Sequence, residues 1–215
     1  MPVVERGPRG SRAPSFSLMS LFFLGGLLIL ITAVLVAASF QYPAEPISAA
    51  MVEADALQGG MGLSLKDAIL LDQYASSGAG ERIDAYHCVV AFGVANGQKV
   101  AASLRVPAEG ALYETMRAYM EDEDAGLGDC KITLCATTAP LGGKLADYLT
   151  AYVEDTFGEL SPYRVATISL TPRGETAWDY TDSVLHERKI CRVVGALCLL
   201  AGSGMLFAAL KKRGL

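Results

Sequence analysis

Residues 15–40 read SFSLMSLFFLGGLLILITAVLVAASF and residues 193–210 read VVGALCLLAGSGMLFAAL, two long stretches without a charged side chain. As helices rising about 1.5 Å per residue, they would reach roughly 39 Å and roughly 27 Å. The hydrocarbon core of a bilayer is about 30 Å thick, so each stretch has the length of a transmembrane helix. The sequence therefore predicts a membrane protein with a domain held between two anchors.

These stretches divide the chain into five parts. We expect a basic tail at residues 1–14, transmembrane helices at 15–40 and 190–210, a central α/β domain at 41–189 and a short tail at 211–215. The alternative for the first stretch is a cleaved secretory signal, because the small residues Val36, Ala37 and Ala38 suit a cleavage site. The apolar region of a signal has only about 7–15 residues, which favours a retained anchor.

The orientation follows from the basic residues near the membrane. Short loops rich in Lys and Arg stay in the cytoplasm. Such residues precede the first helix and follow the second: Arg6, Arg9, Arg12, Lys211, Lys212 and Arg213. Three further basic residues, Arg188, Lys189 and Arg192, lie at the other end of the second helix and favour the opposite orientation of that helix. The basic residues before the first helix therefore determine the predicted orientation. We expect a cell-membrane protein with both termini cytoplasmic and the central domain extracytoplasmic.

The central domain is strongly acidic. Residues 41–189 hold 22 acidic and 11 basic side chains, a net charge of −11, while the whole chain carries −5. Such a field repels nucleic acid and anionic lipid headgroups, so we expect no nucleic-acid partner. The domain's three cysteines, Cys88, Cys130 and Cys135, form no C-x-x-C motif, and an odd number leaves one unpaired within a single chain.

Periodicity predicts the first elements of the domain. A helical pattern covers Leu65–Ala75, and two β-rich stretches follow at Tyr86–Val94 and Gln98–Val106. A two-residue turn between these stretches would mix apolar and polar faces. A three-residue turn with Gly97 as a left-handed bulge puts every apolar side chain on one face. That register pairs Phe92 with Val100, Val90 with Ala102 and Cys88 with Leu104.

The remaining elements complete the predicted fold. They are a helix at Ala108–Met120, a strand at Lys131–Thr138, a helix from beyond Pro140 to about Gly158, and a strand at Arg164–Thr171. We expect an α/β (α+β) fold, a two-layer domain with a mixed four-stranded sheet and helices on one face. The final β-α-β step should cross over right-handedly.

One face of this predicted sheet is apolar and the other is polar. If the helices cover the apolar face, the polar face is open and offers a candidate binding surface. Its residues are His87, Lys99, Ser103, Arg105, Thr133, Thr137, Thr167 and Ser169. An antiparallel sheet with one wet side has the same pattern without any ligand, so the two interpretations stay open.

The motifs that would indicate chemistry are incomplete. Gly142-Gly143-Lys144 opens a helix after a strand, but Leu145 stands where a phosphate loop needs a hydroxyl. The acidic run Glu121–Asp124 lacks the spacing of a calcium loop, and whether it binds a cation stays open. His87 is one of two histidines in the chain and has no nucleophile motif beside it. We expect no catalytic residue, no metal ligand and no cofactor.

Small residues line the predicted membrane helices, including Ala33, Ala37, Gly195, Gly202 and Gly204. They allow close helix contact. We expect the two anchors to pair within the chain, while a homo-oligomer through these small-residue faces or a partner helix remains an alternative.

The overall pattern resembles uncharacterised two-helix membrane proteins of Gram-positive bacteria. The features that carry it are the basic tail, the strand pair Tyr86–Val106 split by a turn glycine, Lys131-Ile132-Thr133, the helix start Gly142-Gly143-Lys144-Leu145 and the Lys-rich end of the second anchor. The resemblance covers most of residues 81–215. It implies no activity, cofactor or catalytic residue.

We therefore expect an extracytoplasmic binding or assembly module, anchored in the lipid bilayer and working with a membrane or cell-envelope protein. The alternative is a surface-exposed, membrane-anchored enzyme of the hydrolase type. A pocket with converging His87, Ser or acidic side chains would favour the enzyme, and a flat sheet face would favour the module.

Overall fold

The computed structural model of the chain describes residues 17–158 and 161–213, so the basic tail predicted at residues 1–14 lies outside it. The helices and strands are α1 (Leu18–Ala38), β1 (Ile47–Ser48), β2 (Gly62–Ala79), β3 (Arg82–Gly93), β4 (Lys99–Pro107), α2 (Ala111–Glu121), β5 (Lys131–Pro140), α3 (Gly143–Phe157), β6 (Tyr163–Gly174) and α4 (Ala177–Arg213). The fold is mixed α/β, and apolar helices near the two ends of the chain flank a central sheet domain. Of the described residues, 17–39 and 189–213 form one unit and 40–188 form the other.

The helical unit contains α1 and the apolar part of α4, which contact each other through small residues. A Cβ added to Gly25 would lie 3.0 Å from the Gly202 carbonyl oxygen, and one added to Gly202 would lie 2.9 Å from the Gly25 carbonyl oxygen. Thr32 Oγ1 donates to the Gly195 carbonyl oxygen at 3.0 Å. The two helices therefore pair within the chain, as expected. Length and composition make both of them candidates for crossing a membrane.

The helix predicted at Leu65–Ala75 is wrong, because these residues belong to β2. Against β5, the register of β2 shifts between Leu65 and Ala68, where Asp67 adopts a positive φ of 52°. Against β3, it shifts again between Leu70 and Asp72. Each bulge inserts an extra residue, so buried side chains recur at a spacing of three as well as two. That spacing imitates a helix in the sequence.

The strands β2 to β6 form a closed ring. The order around it is β2-β3-β4-β6-β5, and β2 also pairs with β5, which joins the two ends. With β1 added in parallel to the start of β2, the sheet has six strands rather than the predicted four. A five-stranded ring in this order, with a helix between its third and fourth strands, has the topology of the OB-fold, a Greek-key barrel.

The β3–β4 hairpin has the predicted register. Phe92 pairs with Val100, and the other two predicted pairs are also present. Gly97 adopts a positive φ of 73°. The predicted right-handed crossover between the last two strands is wrong, because β5 and β6 are antiparallel neighbours and the handedness rule concerns parallel strands.

Two apolar clusters lie on opposite faces of the ring. The larger fills the interior with side chains from all five ring strands, and α2 adds Met116 to it. Val90 belongs to this interior, whereas its neighbour Val89 belongs to the second cluster, outside the ring, where Leu149 and Val153 of α3 pack. The prediction that the helices lie on one face is therefore wrong, because consecutive strand residues point to opposite faces and both faces carry apolar side chains.

Candidate functional site

The eight residues of the predicted binding face do not form one open surface. Lys99, Arg105, Thr133 and Thr167 are exposed, and Ser169 is half-buried. The expectation of exposure is wrong for three others, of which His87 is 5% exposed, Thr137 2% and Ser103 0%. Because the sheet closes on itself, its outward side chains also point in different directions around the ring.

The ladders bring some of these residues together and separate others. His87 lies opposite Arg105 between β3 and β4, and Ser103 lies opposite Ser169 between β4 and β6. Thr133 lies on β5, which β6 separates from β4. Whether the exposed members bind a ligand stays a prediction.

Helix α3 occupies part of the surface that OB-folds commonly use. In that fold, the outer face of the second and third ring strands binds oligonucleotides or oligosaccharides. Here the equivalent strands are β3 and β4, and α3 packs against their outward side chains Val89, Ala91 and Ala101 through Leu149 and Val153. This part of the outer face is therefore filled by the chain itself.

A group of polar side chains lies outside the ring on β2, β3 and β4, and we call it the outer polar cluster. It consists of Tyr74, Ser77, His87, Ser103 and Arg105. The Tyr74 hydroxyl donates to Ser103 Oγ at 2.6 Å. Ser77 Oγ and His87 Nε2 are hydrogen-bonded at 3.1 Å. These bonds satisfy Ser103 and one side of the His87 ring, which explains how polar groups remain buried here.

Burial sets the proton affinities in this cluster. Burial lowers the pKa of His87 below its usual value, and the positive charge of Arg105 lowers it further. Burial also raises the pKa of Tyr74, although its hydrogen bond with Ser103 acts in the opposite direction. His87 Nδ1 is buried and has no hydrogen-bond partner among the described residues. His87 is therefore neutral at neutral pH, and its one hydroxyl contact in the cluster is Ser77.

The sequence did not identify Ser77 as the partner of His87. The pattern placed Ser77 in a loop after a helix, whereas it lies on β2, two residues beyond Ala75, which pairs with His87. The alternation of β2 would have revealed this contact, but the bulges conceal that alternation.

Thr137 has a structural partner. Arg173 Nε donates to Thr137 Oγ1 at 3.2 Å, and the same guanidinium pairs with Glu187 and lies over the ring of Tyr42. Nearby, the Tyr180 hydroxyl donates to the Pro43 carbonyl oxygen at 3.1 Å. These contacts hold the segment after α1 against the first turns of α4, so the burial of Thr137 is accounted for without a ligand.

A groove of about 420 Å³ lies between the start of α2, the first half of β5 and the end of β6. Such a volume is within the usual range of ligand pockets. Its lining is Ala111, Leu112, Thr115, Lys131, Ile132, Thr133, Leu134, Pro172, Gly174 and Glu175. Thr133 is therefore the one member of the predicted binding face that lines this groove.

No group of three or more His, Cys, Asp or Glu side chains suited to a metal ion occurs in the described part of the chain. The acidic run Glu121–Asp124 is exposed, and Asp122 Oδ1 accepts from the backbone N–H of Asp124 at 3.1 Å. Cys88, Cys130 and Cys135 are free thiols. Burial raises the pKa of Cys88 to about 12, so this thiol is protonated and unreactive.

No protein-family model matches this chain, and no curated protein matches its sequence. The resemblance to two-helix membrane proteins of Gram-positive bacteria, and the cell-envelope location that goes with it, gain no support from these comparisons.

Proposed function

We propose that this protein is a membrane-anchored binding or assembly module whose domain, residues 41–189, lies outside the cytoplasm. The observation that carries the proposal is the contrast between the enclosed His87 and the open groove beside Thr133. His87 is buried and its Nε2 is hydrogen-bonded to Ser77 Oγ, while a groove lined by strand and helix residues opens at the surface of the domain.

The orientation rests on the basic residues at the two ends of the chain and on the two long apolar helices. A cysteine replacing Glu81, in the exposed turn between β2 and β3, should react with a membrane-impermeant thiol reagent in intact cells. A cysteine replacing Ser11 should react only after the membrane is opened. The reverse pattern would place the domain in the cytoplasm.

Partner binding is tested with a photoreactive amino acid in the full-length protein in its own membrane. The positions are the four exposed residues of the predicted face: Lys99, Arg105, Thr133 and Thr167. We expect a reproducible adduct of one defined mass from at least one of them. Absence of an adduct at all four would contradict the binding function.

One observation favours a second candidate, a hydrolase. The hydrogen bond between Ser77 Oγ and His87 Nε2 has the geometry of a nucleophile and its base. His87 Nδ1 has no carboxylate to orient it among the described residues, which distinguishes this pair from a complete triad. A fluorophosphonate probe distinguishes the functions, because a hydrolase would be labelled at Ser77 and would lose labelling in Ser77→Ala but not in Ser103→Ala.

A further inference from the structure

The first half of β5 has one edge without a neighbouring strand. The Cys130 carbonyl oxygen accepts from the Leu70 N–H at 2.9 Å, and the Thr138 N–H donates to the Met61 carbonyl oxygen at 2.9 Å. The even-numbered residues of β5 therefore direct their backbone groups towards β2. Because backbone groups alternate in direction along a strand, the odd-numbered residues direct theirs to the other side.

On that other side, the ladder from β5 to β6 begins only at Cys135, opposite Gly174. The backbone N–H and C=O groups of Lys131 and Thr133 thus face the groove without a strand partner. Turns and helices in the described residues make no backbone hydrogen bond to them either. An unpaired strand edge is a template for another extended chain.

The side chains around this edge suit a peptide. Leu112 and Pro172 supply apolar surface, and Thr115 lies on the helix that forms the opposite wall. The groove has two charged residues, Glu175 after the end of β6 and Lys131 on the free edge itself. Lys131 is exposed and has no ion-pair partner in the described part of the chain. Two free donor–acceptor pairs, at alternate residues, correspond to a bound segment of about four residues, or roughly 13 Å.

We propose that this groove binds an extended segment of a partner polypeptide, which adds as a strand to the free edge of β5 and places an acidic side chain beside Lys131. The inference rests on the proposed binding function and specifies its site and mode. Backbone hydrogen bonds to Lys131 and Thr133 supply affinity, and the side chains along α2 and β6 supply selectivity.

The test selects linear nine-residue peptides from a displayed library against the full-length protein in lipid nanodiscs. Thr115→Trp fills the groove from the helix side without changing the backbone of β5. Ala118→Trp places the same side chain on an exposed position of α2 outside the groove. We expect peptides that bind the native protein and Ala118→Trp but lose at least about tenfold in affinity for Thr115→Trp.

The backbone contribution is tested separately. Thr133→Pro removes the N–H that faces the groove, whereas Thr133→Ala keeps it. N-methylation of every second backbone nitrogen of a selected peptide should weaken binding roughly tenfold when the methylated nitrogens are those that face β5. Methylation of the other set of nitrogens should leave binding nearly unchanged. Methylated peptides do not depend on the folding of the proline variant, so they decide the matter if that variant fails to fold.

Two outcomes would overturn the inference: no peptide that prefers the native protein over Thr115→Trp, or binding that is indifferent to N-methylation in both registers. Adducts at Lys99, Arg105 or Thr167 together with either outcome would leave the binding function standing and remove this site from it. Adducts at none of the four positions would instead remove the binding function itself.

Discussion

The interior of the strand ring and part of the outer surface of β2 to β4 are both buried, but by different means. The ring encloses its interior on all sides, and the cluster there is built from hydrophobic residues such as Leu104 and Val90. The outer surface mixes the apolar contacts of α3 with His87 and Ser103, which are buried beside hydrogen-bond partners. Polar side chains are costly in the interior of a closed ring, where water is excluded. On a surface that a helix covers from one side, buried polar side chains are tolerated when they form hydrogen bonds with neighbouring residues.

The largest expected effect is in the interior. Leu104→Ala removes a side chain that is fully buried in the ring, and we expect it to lower the free energy of unfolding by about 2–5 kcal/mol through lost burial and a cavity. Leu127→Ala, at an exposed loop position, is the control and should change it by less than about 0.5 kcal/mol. Denaturant unfolding of the full-length protein in detergent measures both, and equal effects would show that the interior is not the main core.

A smaller effect is expected where α4 contacts β2. A Cβ added at Gly62 would lie 2.1 Å from the Tyr180 hydroxyl oxygen, so Gly62→Ala should cost about 1–3 kcal/mol through displacement of that ring. Gly93→Ala is the matched control, because a Cβ there meets no atom within 4 Å. If the two substitutions shift the thermal midpoint equally, Tyr180 does not pack against β2 as described.

The outer polar cluster should make stability depend on pH. The pKa of His87 is lowered in the folded protein, so the unfolded chain takes up a proton first as the pH falls. Stability should therefore be level above about pH 6.5 and decline below it, down to the lowered pKa of folded His87. In His87→Gln this decline should be smaller, whereas His186→Gln, at an exposed position of α4, should keep it. Unfolding curves at pH 7.5 and pH 5.5 compare the three proteins, and an unchanged decline in His87→Gln would contradict the assignment.

The smallest effects are expected at the exposed threonines. Thr133→Glu and Thr167→Glu should each change the free energy of unfolding by less than about 1 kcal/mol, because both side chains are exposed. Thr137→Glu should cost more, since it replaces a buried hydroxyl that accepts from Arg173. Thermal unfolding of the three variants ranks them, and three equal losses would mean that Thr133 and Thr167 are also covered.

How far the fold could be predicted depends on how regularly each strand alternates. The β3–β4 hairpin keeps a strict period of two around one glycine turn, so polarity alone identified its register. In β2, each bulge changes which face of the sheet the following residues occupy, so the strand has no strict period of two. The strand was therefore interpreted as a helix, and the strand that closes the ring was missing from the predicted sheet.

The candidate site was predictable only in part for the same reason. The period of two predicts that the eight polar residues on β3, β4, β5 and β6 face outwards, and four of the eight are exposed. The sequence could not show that α3 packs on the outside of the ring, or that Arg173 reaches Thr137. Both depend on contacts between segments far apart in the chain.

The sequence by itself determined the two apolar helices, the acidic character of the domain between them and the hairpin, because these depend on composition and on spacing between near neighbours. Tertiary structure alone decided the closure of the ring, the burial of His87 and the free edge of β5 at Lys131 and Thr133. Closure requires one long strand, β2, to pair with β3 along one part and with β5 along another. The bulges of β2 bend the strand so that it can reach both partners. The free energy that favours closure comes from burying apolar side chains of all five strands in one interior, and no local stretch of sequence shows that burial.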